Sequence, residues 1–135
     1  MIQTYSDGGS RGNPGPSAIG VVIKNEAGEV IKTYGEYIGE GTNNQAEYKA
    51  LLKALEFALE MGEKEVVAHL DSELVVKQMK REYKVKDADL GQLFLKAHNL
   101  ATKIGKVRFV HVRRDHNAHA DELVNTALDA SVITY

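Results

Sequence analysis

The chain reads as a mixed α/β domain, with three antiparallel strands first and strands alternating with helices after them. Three features of the 135-residue sequence predict this order. Its first forty residues hold β-rich runs divided by glycine turns, one amphipathic stretch follows, and short apolar runs then alternate with helical spacing. At this length one domain buries about two thirds of the surface its unfolded chain exposes, so a single core is expected. The domain is expected to fill residues 1–129, with 130–135 as a C-terminal tail, ASVITY, that is β-prone and suited to pairing with a sheet edge or a neighbour.

The strands come first. IQTYS leads into a glycine-rich loop, DGGSRGNPG, and AIGVVIKN and EVIKTYGEYIG follow with a turn signal at EAG, which makes an antiparallel meander. In TNNQAEYKALLKALEFALEMG, Thr42 and Gln45 fit a capping box and Gly62 fits the C-terminal stop. Lys49, Lys53, Glu56, Glu60 and Glu63 make one solvated stripe on this helix, opposite Leu51, Leu55 and Ala58. EVVAHLD is a short strand, and SELVVKQMKREY starts a second helix directly after it, as a parallel crossover requires. A third helix is expected from an Asp87 N-cap to about Lys103, then KVRFVHV as the fifth strand. Asn117 or Asp115 is expected to cap a last helix ending near Leu128.

Composition narrows the chemistry. With no cysteine, disulfides and thiolate metal sites are excluded, so a metal must sit on oxygen or histidine. The N-terminus lacks a basic segment followed by an apolar one, and no run of eighteen apolar residues occurs, which leads us to expect a soluble, cytoplasmic protein. A formal net charge of -2 argues against bulk attraction to nucleic acid and leaves local patches open. DGGSRG lacks the oxygen ligands of a calcium loop, and no P-loop, GxGxxG turn or serine elbow is present.

Four carboxylates stand in telling places. Glu47 projects from the first helix on its apolar side, where an acid needs a partner. Asp7 and Asp71 each end a strand before residues that suit a change of direction, at the carboxyl edge where open α/β sheets bind ligands. Asp121 flanks the apolar stripe of the last helix. Any one of these acids alone fits a cap, a turn or a first-turn position favoured by the helix dipole. As a set they repel one another unless a cation intervenes, which points to a hard divalent ion, Mg2+ or Mn2+.

Four blocks now carry a resemblance: YSDGGSRGNPGP, TNNQAEYKAL, HLDSELVV and RRDHNAHADELVN, in that order over residues 5–125. Together they resemble the ribonuclease H type 1 family, in its short form without an N-terminal hybrid-binding domain. The resemblance implies a ribonuclease H-like fold, a five-stranded mixed sheet with helices on both faces. It implies an endonuclease that cuts the RNA strand of an RNA/DNA hybrid with two Mg2+ ions, Mn2+ being a possible substitute, and leaves 5′-phosphate and 3′-hydroxyl ends. Asp7, Glu47, Asp71 and Asp121 match the family's metal-binding acids. Asn13, Thr42, Asn43 and Asn44 match positions that contact the hybrid, Thr42 and Asn13 resembling its DNA-phosphate pocket; Glu73 stands where some members carry glutamine. The amides of Gly8, Gly9 and Gly12 suit close approach of a sugar-phosphate, since no Cβ intervenes.

Two regions depart from relatives. Many place a mobile histidine in a loop before the last acid; here the stretch is the short RRDHN, where Arg114 matches a substitute and His116 is the titratable alternative. His116 and His119 form an i,i+3 pair that reads as a surface pair for want of further nitrogen ligands. The segment KQMKREYKVK has five basic residues against one acid, so Lys80, Arg81 and Lys84 are expected either to hold the DNA backbone or to form a solvated face.

The expected partner is an RNA/DNA hybrid, with duplex RNA as a second candidate. No membrane or obligate protein partner is indicated, and a monomer is expected. The alternative from another class is a catalytically silent module of the same fold that binds hybrid or duplex RNA, against which the four intact acids argue. A transposase-like or exonuclease-like DNA cutter is disfavoured by the asparagines and the lack of appended domains.

Overall fold

The computed structural model describes residues 1–132. Its sheet has five strands, β1 (Ile2–Ser10), β2 (Gly15–Asn25), β3 (Val30–Gly41), β4 (Glu65–Leu70) and β5 (Lys106–His111). Their order in space is β3-β2-β1-β4-β5. β1, β2 and β3 pair antiparallel, while β1 with β4 and β4 with β5 pair parallel. The helices are α1 (Asn43–Glu60), α2 (Glu73–Met79), α3 (Ala88–Ile104) and α4 (Ala118–Val132), with a short 3-10 turn at Arg114–Asn117. Among the described residues no helix is long and apolar enough to cross a membrane.

Alternation along β2 sends its side chains to two layers. Val21 and Ile23 join Leu51, Leu55, Val66 and Phe109 in the main core beneath α1 and α3. Ala18 faces Val124 and Leu128 of α4 in a smaller core on the opposite face. The expected helices on both faces are therefore present. Gly20 explains how α4 comes so near, because a Cβ there would lie 2.3 Å from the Ala120 carbonyl oxygen.

Local signals set most boundaries. The Thr42–Gln45 capping box is formed in both directions, Gly62 follows α1 at φ 74, and Asp87 accepts from the Leu90 amide at 3.2 Å.

Four expectations are corrected. β1 does not end at Asp7: β2 keeps pairing with it through Ser10, and the turn occupies only residues 11–14. α2 stops at Met79 instead of running to Tyr83. The amides of Arg81 and Glu82 close back on the carbonyls of Gln78 and Lys77, and Arg81 takes φ 64. Neither Asp115 nor Asn117 caps α4. Asp115 pairs with Arg113 at 3.7 Å, and Asn117 turns its side chain to β1. α4 continues through Val132, so Ala130 and Ser131 are helical rather than the start of a β-prone tail; residues 133–135 of that segment lie outside the described residues.

Candidate active site

The site forms where β1 and β4 part. Their last ladder pair is Ser6 with Leu70, so the next residues, Asp7 and Asp71, stand side by side as the strands diverge. Glu47 reaches the same point from α1, one turn in from its start. One carboxylate oxygen from each of Asp7, Glu47 and Asp71 lies within 4.8 Å of the others.

Gly8 brings α1 close enough for this. A Cβ on Gly8 would lie 2.2 Å from the Ala46 carbonyl, and the Gly8 amide donates to Glu47 Oε1. The missing Cβ is thus needed by the protein's own helix, a reason different from the substrate approach read in the sequence. Gly9 is less constrained, since a Cβ there would meet only the Val124 side chain, at 3.3 Å.

Burial sets the electrostatics. Asp7 is 3% exposed and Glu47 7%. Burial pushes the Asp7 carboxyl from 3.8 up to about 7, with the charges of Asp71 and Asp121 adding to it. The Glu47 carboxyl is held well above the ordinary range, chiefly by burial and then by Asp7. Glu47 Oε2 and Asp71 Oδ2 are buried without a hydrogen-bond partner. Three carboxylates converging with buried oxygens that accept no hydrogen bond are what a hard cation needs, so these residues fit a divalent metal ion.

Asp121 stands outside this tight group, half-exposed in the first turn of α4, but lines the same cavity of about 420 Å³. Gly8, Gly9, Asn43, Asn44 and Arg114 line it as well. Arg114 is 78% exposed along its side chain and its Nε is 3.7 Å from Asp71 Oδ2. His116 does not reach this cavity: it lies with His119, Tyr5 and Lys24 around a separate space of about 30 Å³. The geometry therefore brings Arg114, and not His116, to the acids.

Other expected residues serve the frame or lie apart. Asn13 Oδ1 accepts from the Asn43 amide at 3.1 Å, and Asn43 Oδ1 accepts from the Ser10 amide at 2.8 Å, lacing the β1–β2 turn to the start of α1. Thr42 is the N-cap, and neither it, Gly12 nor Asn13 lines the acid cavity. Glu73 is exposed and paired with Lys77 at 3.0 Å. Lys80 is exposed just past α2, while Arg81 and Lys84 border a different cavity of about 690 Å³ that includes Tyr83, Val85, Phe94 and Leu95.

Three contacts were not anticipated. Arg11 Nη2 pairs with Asp129 Oδ1 at 2.6 Å, joining the glycine turn to α4. Asn125 Nδ2 lies 3.5 Å from Asp121 Oδ2, a contact that i,i+4 spacing on a helix foretells. Asn117 Nδ2 donates to the Ser6 carbonyl at 2.9 Å.

Residues 5–127 match the family model described as Reverse transcriptase-like. The chain is 42% identical to ribonuclease HI of Halobacterium salinarum over 95% of its own length and 64% of that protein's. It is 34% identical to a ribonuclease H of Pseudomonas putida, covering 95% of this chain and 93% of the relative. The chain belongs to the type 1 ribonuclease H family. Among solved structures, the ribonuclease H1 of H. salinarum superposes at TM-score 0.93 with 42% identity, covering 96% of this chain and 98% of that one. LC11 ribonuclease H1, in a complex with RNA/DNA hybrid, superposes at 0.94 with 47% identity, covering 98% and 99%. The chain spans 64% of the H. salinarum curated protein and 35% of a bifunctional protein of Mycobacterium tuberculosis to which it is 41% identical.

Proposed function

We propose that this ribonuclease H domain hydrolyses the RNA strand of RNA/DNA hybrids, leaving 5′-phosphate and 3′-hydroxyl ends. The convergence of Asp7, Glu47 and Asp71 within 4.8 Å, with Glu47 Oε2 and Asp71 Oδ2 buried and not hydrogen-bonded, carries the reading. The likeness to LC11 ribonuclease H1, solved with RNA/DNA hybrid, supports the substrate. Asp7, Glu47 and Asp71 would hold two Mg2+ ions with Asp121 joining from α4, and Mn2+ meets the same oxygen donors. When bound, the ions supply the Lewis-acid charge that phosphodiester hydrolysis needs.

The chain's own groups do the rest. The Gly8 amide orients Glu47 through Oε1 and leaves Oε2 free. Arg114, exposed beside Asp71, meets the anionic phosphate with a planar guanidinium suited to paired phosphate contacts. Asn44 is exposed at the rim and offers an amide to sugar hydroxyls, a contact that tells RNA from DNA without reading sequence.

The test is to incubate the pure protein with labelled RNA/DNA hybrid, duplex RNA and duplex DNA, each with Mg2+, Mn2+ or EDTA. Hybrid cleavage that needs metal is expected. Tight hybrid binding with no cleavage in either metal would make this a silent binding module instead.

A further inference from the structure

The carbonyls of Ser6 and Leu70, the last pair of the β1/β4 ladder, are both held by one connection. Leu70 receives the Val112 amide at 2.9 Å, and Ser6 receives the Asn117 side chain at 2.9 Å. The residues directly after those carbonyls are Asp7 and Asp71. The connection between the two donors also carries Arg114, and Asp121 lies one helical turn beyond Asn117.

We infer that Asn117 is a positioning residue, which holds Asp7 at a set distance from Asp71 and seats the start of α4 so that Asp121 reaches the same cavity. This rests on the metal-binding reading of those acids. Stability alone does not account for the residue. Asn117 is 2% exposed, and its Oδ1 is buried with no partner, an arrangement costlier than an apolar side chain of like size. Its hydrogen bond is directional, and it fixes β1 at the point where β4 leaves it, where an apolar contact would set no direction. Outer residues that orient metal-binding side chains commonly change metal affinity when replaced.

The experiment measures Mg2+-induced rise in Tm, and Mg2+ binding by calorimetry at low temperature, for the wild type, Asn117→Ala and Asn117→Ser. Ile104→Val is the control, because Ile104 is 2% exposed at the far end of α3 and loses core packing without touching the site. Both Asn117 variants are expected to need roughly 10- to 100-fold more Mg2+ for half-saturation, with the control unchanged. At saturating Mg2+ their KM for hybrid should match the wild type. Asn117 variants that lose Tm like the control while keeping the wild-type Mg2+ midpoint would overturn the inference, as would failure of both to fold while the control folds. A wild-type protein with no Mg2+-dependent shift overturns the metal reading itself, and this inference with it.

Discussion

Arg114 Nε stands 3.7 Å from Asp71 Oδ2, an exposed cation leaning on a carboxylate that the strand end has buried. The pair is too open to add much stability, since exposed ion pairs contribute about 0–1 kcal/mol. The proposed role is in catalysis, the exposed guanidinium exchanging Asp71 for a phosphate. Arg114→Ala should lower kcat by on the order of tenfold or more, less than the roughly 100- to 1000-fold lost with a buried oxyanion donor, with Tm nearly unchanged. His116→Ala should keep its turnover, as His116 lies around a different space. Single-turnover rates for both variants decide it; the opposite pattern would assign the role to His116.

Gly8→Ala tests the approach of α1 to β1. The new methyl would meet the Ala46 backbone at 2.2 Å, and helix backbone cannot swing aside as a flexible side chain does. Destabilisation of about 1–3 kcal/mol or more is expected. Displacement of Glu47 should also remove most Mg2+-dependent activity at temperatures where the variant is folded. A variant with wild-type Tm by thermal melt would mean that α1 moves freely against the strand.

How much of this was legible follows from how local each signal is. The capping box at Thr42, the stop at Gly62 and the Asp87 cap involve residues three or four apart, so spacing alone exposes them. Glu47 was legible because an acid on an apolar helix face is conspicuous in a periodic pattern. The end of β1 was not: glycines signal a turn, yet β2 continues to pair with Gly8 and Gly9, and partner strands are invisible in a one-dimensional pattern. Asn117 looked like a cap because asparagine before a helix usually is one; its real partner, Ser6, lies 111 positions away. The Arg11–Asp129 pair, 118 positions apart, was hidden for the same reason.

Arg81 adopts φ 64, the left-handed region, at the position closing α2 where glycine is usual. A side chain there costs about 1–2 kcal/mol. Arg81→Gly should therefore raise Tm by a few degrees, as about 1 kcal/mol does in a domain of this size. If the arginine also touches a DNA phosphate, the same variant should bind hybrid less tightly, and the slope of log K against log salt should fall by roughly 0.7–0.9. Titrations at several salt concentrations separate the two effects. An unchanged slope would leave Arg81 as a solvated residue beside the apolar cavity of Tyr83 and Phe94.

The buried acids also make stability depend on pH and metal together. Burial raises Asp7 to about 7 and holds Glu47 well above its ordinary value, whereas the unfolded chain ionises both near pH 4. A raised folded pKa means that the folded state keeps protons the unfolded state has released. The contribution to stability is full below about pH 4 and is lost as pH climbs through the folded value, near 7 for Asp7. In EDTA, Tm should thus decline between pH 4 and 7 from these groups, by an amount worth a few kcal/mol. A divalent ion competes with those protons, so Mg2+ should raise Tm more at pH 8 than at pH 5, with proton uptake into buffer detectable on binding. Asp7→Asn removes one of the titrating acids and should flatten the EDTA profile while weakening the Mg2+ response. Thermal melts across this pH range, with EDTA and with Mg2+, measure both effects. An EDTA profile as steep in Asp7→Asn as in the wild type would show that the pH dependence arises elsewhere in the fold.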